Sequence, residues 1–165
     1  MNEFEINIKA KRYCSINELD EADRRLLEAA NMATKTSYAP YSRFNVGSAV
    51  LLENGEIITG SNQENNAYPS GLCAERVAVF YANAKYPNVA IKAIAISSAV
   101  DNKINDSEVY PCGSCRQVLV ESENRQDTKI KLIMGGAKSI IVIDSVSLML
   151  PFTFDLDKML DSKES

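Results

Sequence analysis

Three cysteines and one glutamate stand in two short segments of this chain, Leu72-Cys73-Ala74-Glu75-Arg76 and Pro111-Cys112-Gly113-Ser114-Cys115-Arg116-Gln117. Three thiolates can hold one zinc ion. Structural zinc sites are closed by four protein ligands, whereas three ligands leave a position for water, and a carboxylate beside it can move that water's protons. The pattern predicts a hydrolytic enzyme with one Zn2+ per chain, held by Cys73, Cys112 and Cys115. Glu75, two residues beyond a ligand, is the expected proton carrier. Three thiolates on a divalent ion form a negative cluster, and Arg76, Arg116 and Gln117 are placed to donate hydrogen bonds to the sulfurs. A closed alternative uses Cys14 as a fourth ligand and makes the chain a structural zinc module.

A thiolate, not a thiol, binds zinc, and a helix start stabilises negative charge through its unpaired amides and dipole. Both cysteine segments read as helix starts. The stretch from Cys73 to about Ala84 lacks Gly and Pro, and a second helix begins near Cys112, after Pro111. Ser15-Ile16-Asn17-Glu18 has the form of a capping box, with Leu19, Ala22, Leu26, Ala30 and Ala33 at helical spacing behind it and Pro40 marking the end. Val46 to Glu53 and Glu56 to Thr59 read as strands joined at Asn54-Gly55, a pair suited to a two-residue turn with positive φ at both positions. Ile91 to Ser98 fits a buried central strand, followed by a polar loop. Ile130 to Met134 and Ser139 to Ile143 are too close for a parallel crossover and must form an antiparallel hairpin. The expected class is α/β: one helix, a mixed five-stranded sheet and two cysteine-bearing helices packed on it.

With 165 residues, the chain is expected to fold as one domain over 1–165, with residues 1–15 as an N-terminal extension. The net charge of −4 and pI near 5.0 disfavour a phosphate-tracking surface, and the basic residues are scattered. No nucleic-acid partner is expected. No apolar run is long enough to span a membrane, and Met1 to Ala10 lacks the apolar core of a secretory signal. These features predict a cytoplasmic protein with reduced thiols, in which a close cysteine pair suggests metal binding rather than a disulfide.

Six ordered motifs extend the pattern: Tyr38-Ala39-Pro40-Tyr41-Ser42-x-Phe44-x-Val46-Gly47, Gly60-x-Asn62-x-Glu64-Asn65, Tyr68-Pro69, Cys73-Ala74-Glu75-Arg76, Pro111-Cys112-Gly113-x-Cys115-Arg116-Gln117 and Leu150-Pro151-x-x-Phe154. Together they resemble the small, homotetrameric, zinc-dependent cytidine deaminases from about Leu19 to Phe154. The resemblance implies a cytidine deaminase-like three-layer α/β/α fold and a homotetramer. It also implies Asn62 and Glu64 as the ribose-binding pair, Phe44 against the pyrimidine, and Phe154 reaching the ring from an adjacent subunit. The Ala74 amide would meet the base carbonyl, and Tyr68 falls either in the pocket or at a subunit contact. A carboxylate at position 64 would repel a phosphate, so the expected substrate is a free nucleoside. The implied reaction is hydrolysis of cytidine and 2′-deoxycytidine to uridine and 2′-deoxyuridine plus ammonia, a step of pyrimidine salvage.

A blasticidin-type nucleoside deaminase shares the cysteine motifs and is the nearest competing reading. Deaminases acting on polynucleotides resemble one another in a helical crossover to a parallel last strand, which the short Ile130 to Ile143 hairpin disfavours. Two features depart from the family pattern. Asn66 stands where a small residue is common, and Met1 to about Ser15 precedes the matched region, with Phe4, Ile6 and Ile8 as an extra strand or a subunit contact.

Overall fold

The computed structural model describes residues 1–126 and 128–156. Three α-helices form among them: α1 (Glu21–Ala33), α2 (Ala74–Lys85) and α3 (Gly113–Gln126). The strands are β1 (Lys11–Tyr13), β2 (Asn45–Leu52), β3 (Ile57–Ser61), β4 (Ile91–Val100), β5 (Lys103–Ile104), β6 (Lys131–Met134) and β7 (Ile140–Ile143). They build one sheet in the order β1-β7-β6-β4-β2-β3, with β5 paired to β4 outside that path. β4 and β6 run parallel, and the other pairs are antiparallel, including the β6–β7 hairpin that the five-residue gap requires.

The five expected strands are present, but the sheet has seven. The two additions are short. β1 pairs with the outer edge of β7, and β5 folds back on β4 through Asp101-Asn102, whose φ values of 51° and 60° are those of a two-residue hairpin turn. That geometry was expected at Asn54-Gly55 instead. There only Gly55 has positive φ, at 88°, and its amide donates to Leu52 O at 3.0 Å while the Leu52 amide donates to Glu56 O at 2.9 Å. The connection is therefore a three-residue loop closed by a left-handed glycine, while on its other side β2 pairs with β4 through a register irregularity at Leu51/Leu52.

Alternation along the strands divides the apolar side chains between two faces. Leu26, Leu27 and Ala30 of α1 pack with Ala49, Ala93, Ala95 and Ile133 on one. Ala78 and Val79 of α2 and Leu119 of α3 pack with Val50, Ile94, Ile96 and Leu132 on the other. This is the three-layer α/β/α arrangement. Glu123, near the end of α3, is buried and accepts hydrogen bonds from the Ile130 amide at 2.7 Å, the Val146 amide at 3.2 Å and the Ser145 hydroxyl at 2.7 Å. It ties α3 to the segments before β6 and after β7.

The start of α1 differs from expectation. Ser15 and Glu18 do make local bonds, Ser15 Oγ accepting from the Asn17 amide and Glu18 from the Cys14 amide, both at 3.2 Å, but they close a single 3-10 turn over Ile16–Glu18. Asp20 caps α1 instead, accepting from the Asp23 amide at 2.9 Å. Ala22 is consequently exposed and Asp23 buried, where its carboxylate receives Lys131 Nζ at 2.8 Å. Replacing Lys131 by Met is expected to leave Asp23 without its partner and cost about 1–2 kcal/mol, part of a fully buried pair's value because the Lys131 side chain is 35% exposed. Urea unfolding midpoints would measure it.

One glycine sets how α2 lies on the sheet. A Cβ at Gly60 would come within 2.5 Å of the Ala78 amide nitrogen and 2.7 Å of Ala74 O, so the β3 and α2 backbones touch where any side chain would separate them.

Candidate active site

Cys73 and Cys112 occupy equivalent places. Each precedes the first turn of its helix and gives its carbonyl to that turn: the Val77 amide donates to Cys73 O at 3.1 Å and the Arg116 amide to Cys112 O at 2.9 Å. Cys115 lies in the first turn of α3 and is fully buried. The three sulfurs lie within 4.8 Å of one another, with Cys73 to Cys112 at 3.7 Å and Cys112 to Cys115 at 3.5 Å. A tetrahedral zinc with Zn–S bonds of about 2.3 Å needs sulfurs about 3.8 Å apart, so this donor set fits the ion. Arg76 Nη2 donates to Cys73 Sγ at 3.7 Å. The nearby Cys115 thiol, and after it Arg76, pull Cys73 down to about 5, while hydrogen bonding to Cys73 and burial push Cys115 far up.

Glu75 is only 4% exposed, in the first turn of α2. Burial pushes its carboxyl above the ordinary range, and the charge on Cys73 adds to this. A buried carboxyl with a raised pKa beside a metal-binding group is suited to taking and returning protons. Ala74, the first residue of α2, is fully buried, and helix geometry leaves its amide without a partner in the helix.

A cavity of about 480 Å³ opens in front of Cys73, lined by Tyr41, Asn62, Glu64, Tyr68, Leu72 and Arg76 among others. Its size lies within the range usual for small-molecule sites. Glu64 Oε2 accepts from the Tyr41 amide at 2.9 Å and the Ser42 amide at 3.3 Å. Its carboxyl is held below the ordinary range, first by Ser42 and then by Tyr41. Asn62 is held more completely. Its Oδ1 accepts from Ser37 Oγ at 2.6 Å and the Val46 amide at 2.8 Å, and its Nδ2 donates to Phe44 O at 2.9 Å, which leaves one N–H free. Sequence reading passed over Ser37, although it directly precedes the Tyr38 motif.

Several predicted site residues do not line this cavity within one chain. Phe44 lines a second hollow of about 550 Å³ with Ser98, Val109 and Tyr110. Phe154 is 65% exposed, and Gln117 engages its backbone: Gln117 Nε2 donates to Phe154 O at 2.9 Å and Oε1 accepts from the Phe154 amide at 3.3 Å. Gln117 thus anchors the segment after β7. Arg116 likewise donates to Pro111 O at 2.9 Å and Met149 O at 3.4 Å. Of the residues expected to serve the sulfurs, Arg76 is the one seen bonded to them. Tyr68 is on the cavity side, edge-on to Tyr41 with ring centroids 6.3 Å apart.

Cys14 is exposed and does not join the thiol cluster, so the closed four-thiolate alternative lacks its fourth ligand. Cys14→Ser is accordingly expected to leave zinc content and turnover unchanged and stability within about 0.5 kcal/mol. Metal analysis and initial rates would check it.

Residues 20–130 match the family model described as the cytidine and deoxycytidylate deaminase zinc-binding region. The cytidine deaminase of Halalkalibacterium halodurans is 40% identical over 84% of this chain and 99% of its own length, and that of Sporosarcina psychrophila 33% identical over 82% and 93%. The crystal structure of cytidine deaminase from Burkholderia pseudomallei superposes with a TM-score of 0.66 at 33% identity, covering 79% of this chain and 97% of that one. The three thiols and Glu75 all fall within the matched region, and the chain is a member of the cytidine and deoxycytidylate deaminase zinc-binding family.

Proposed function

We propose that this chain hydrolyses cytidine and 2′-deoxycytidine to uridine and 2′-deoxyuridine with release of ammonia. The observation that carries this reading is Glu75, buried beside a three-thiol group that fits zinc, whose Cys73 lines a nucleoside-sized cavity. Zinc, when bound by Cys73, Cys112 and Cys115, supplies a Lewis acid that makes a water acidic near neutral pH. Glu75 takes a proton from the attacking water and delivers it to the ring nitrogen next to the amino-bearing carbon. It then takes the proton left on the new hydroxyl and gives it to the departing amine, so that a ring carbonyl and ammonia result. The Ala74 amide receives the base carbonyl.

Asn62 and Glu64 read the sugar, the first through its free N–H and the second as an ionised acceptor. Glu64 also disfavours a phosphorylated substrate by charge repulsion. Arg76 offsets the charge of the thiolates. The described residues contain no helix long and apolar enough to cross a membrane, and the chain carries a net charge of −4. We read it as a single cytoplasmic domain without nucleic-acid partners. The exposed Phe154 and Phe44 favour a homotetramer, in which a neighbour would bring Phe154 to the ring.

Absorbance-monitored turnover of cytidine, deoxycytidine, blasticidin and a short single-stranded DNA tests the substrate class, with zinc counted per chain. Turnover confined to the two nucleosides is the expected result. Activity on blasticidin alone would replace this reading. Light scattering of the same sample tests the tetramer.

A further inference from the structure

Residues 3–11 read Glu-Phe-Glu-Ile-Asn-Ile-Lys-Ala-Lys. Odd positions are charged or polar and even positions apolar, the alternation of a strand with one apolar face. Only Lys11 lies in a strand. Residues 1–10 have no regular structure, and Phe4, Ile6 and Ile8 are 76%, 45% and 52% exposed. Among the described residues, none of the side chains of Glu3, Glu5, Lys9 and Lys11 makes an ion pair or hydrogen bond. The segment feeds β1, which ends the sheet on that side and has its outer edge unpaired among the described residues. A strand edge of this kind is a template for another chain.

The segment is complementary to itself. Laid antiparallel on a second copy with Asn7 at the two-fold axis, it sets Glu3 against Lys11, Glu5 against Lys9, Phe4 against Ala10 and Ile6 against Ile8, each contact occurring twice. A register shift of two residues either way halves the opposite-charge pairs. Parallel in-register alignment sets Glu against Glu and Lys against Lys. We infer that residues 3–11 pair with the same residues of a second copy of this chain, as an antiparallel ribbon centred on Asn7 that continues the sheet beyond β1. The ribbon lies outside residues 20–130, where the family pattern is found, and does not depend on the reaction assigned to the site.

Disulfide trapping in the full-length protein tests this. In a Cys14→Ser background, Asn7→Cys places two thiols opposite each other, and facing Cα atoms in such a ribbon lie about 4.5–5.5 Å apart, within the reach of a disulfide. Glu3→Cys is the comparison, because its two copies are offset by eight residues, about 27 Å along the strands. Under mild oxidation, non-reducing gels should show Asn7→Cys dimers forming at least tenfold faster than Glu3→Cys dimers. Adding Glu3→Lys and Glu5→Lys to the Asn7→Cys chain should slow trapping at least fivefold. Mixing that chain with one carrying Asn7→Cys, Lys9→Glu and Lys11→Glu should restore the rate, since every facing charge pair is then opposite in sign. Equal trapping at positions 3 and 7, or trapping at position 7 that ignores the charge reversals, would overturn the proposal.

Discussion

Glu75→Gln is expected to lower kcat on cytidine by at least about 10²-fold, and by up to about 10⁴-fold, while zinc content stays that of the parent. The carboxamide fills the same buried volume, so the packing of α2 against the sheet is preserved, but it cannot accept a proton from water or return one to the ring. Burial already raises the carboxyl of Glu75, which means that its ionised form costs stability. The neutral amide removes that cost, and the melting temperature of the variant should equal or exceed that of the parent. This combination separates a lost proton carrier from a damaged fold. Initial rates, metal analysis and a melting curve on one preparation give all three readings. Parental turnover would show that protons travel by another group.

Cys112→Ser is expected to remove zinc and activity together. Cys112 is exposed, unlike the fully buried Cys115, so its replacement disturbs no core contact and isolates metal binding. With three thiols in the cluster and Cys14 elsewhere, no other thiol stands ready to replace the missing ligand. Zinc held by four ligands is bound by about 10–16 kcal/mol, and dividing this among them gives a loss of roughly 10²–10³-fold in affinity, or more, for one ligand. Competition against a chromophoric chelator measures that loss, and added zinc should restore part of the turnover. A variant that binds zinc as the parent does would mean that the ion is not held by this cluster.

The thiol site was legible because its signals are local and discrete. Cys73 and Cys112 each stand at a boundary marked by the sequence, an unbroken helical stretch after the first and Pro111 before the second, and both do begin helices. The β6–β7 hairpin followed from chain length alone. What was not legible depended on competition between equally good local candidates. Ser15 and Asp20 both have capping side chains, and the choice of Asp20 rests on burying Leu26 and Leu27, a tertiary matter. Asn54-Gly55 and Asp101-Asn102 can both turn a hairpin. The first becomes a three-residue loop closed by Gly55, and the second takes the two-residue geometry, with positive φ at both positions. The partners of Gln117 were beyond sequence reading for a similar reason, since only the folded path of the chain brings Phe154 beside α3.

The missing carbon at Gly60 has a consequence for how this protein can change. Because α2 rests on β3 through main-chain atoms, the height of Cys73 and Glu75 above the sheet is fixed by a contact that side-chain volume does not enter. Packed backbones are nearly incompressible. Substitutions among Val50, Ile58 and Val79 can therefore drift and repack the interior while the reacting groups keep their place. Gly60 insulates the catalytic end of the helix from the sequence history of the core beneath it.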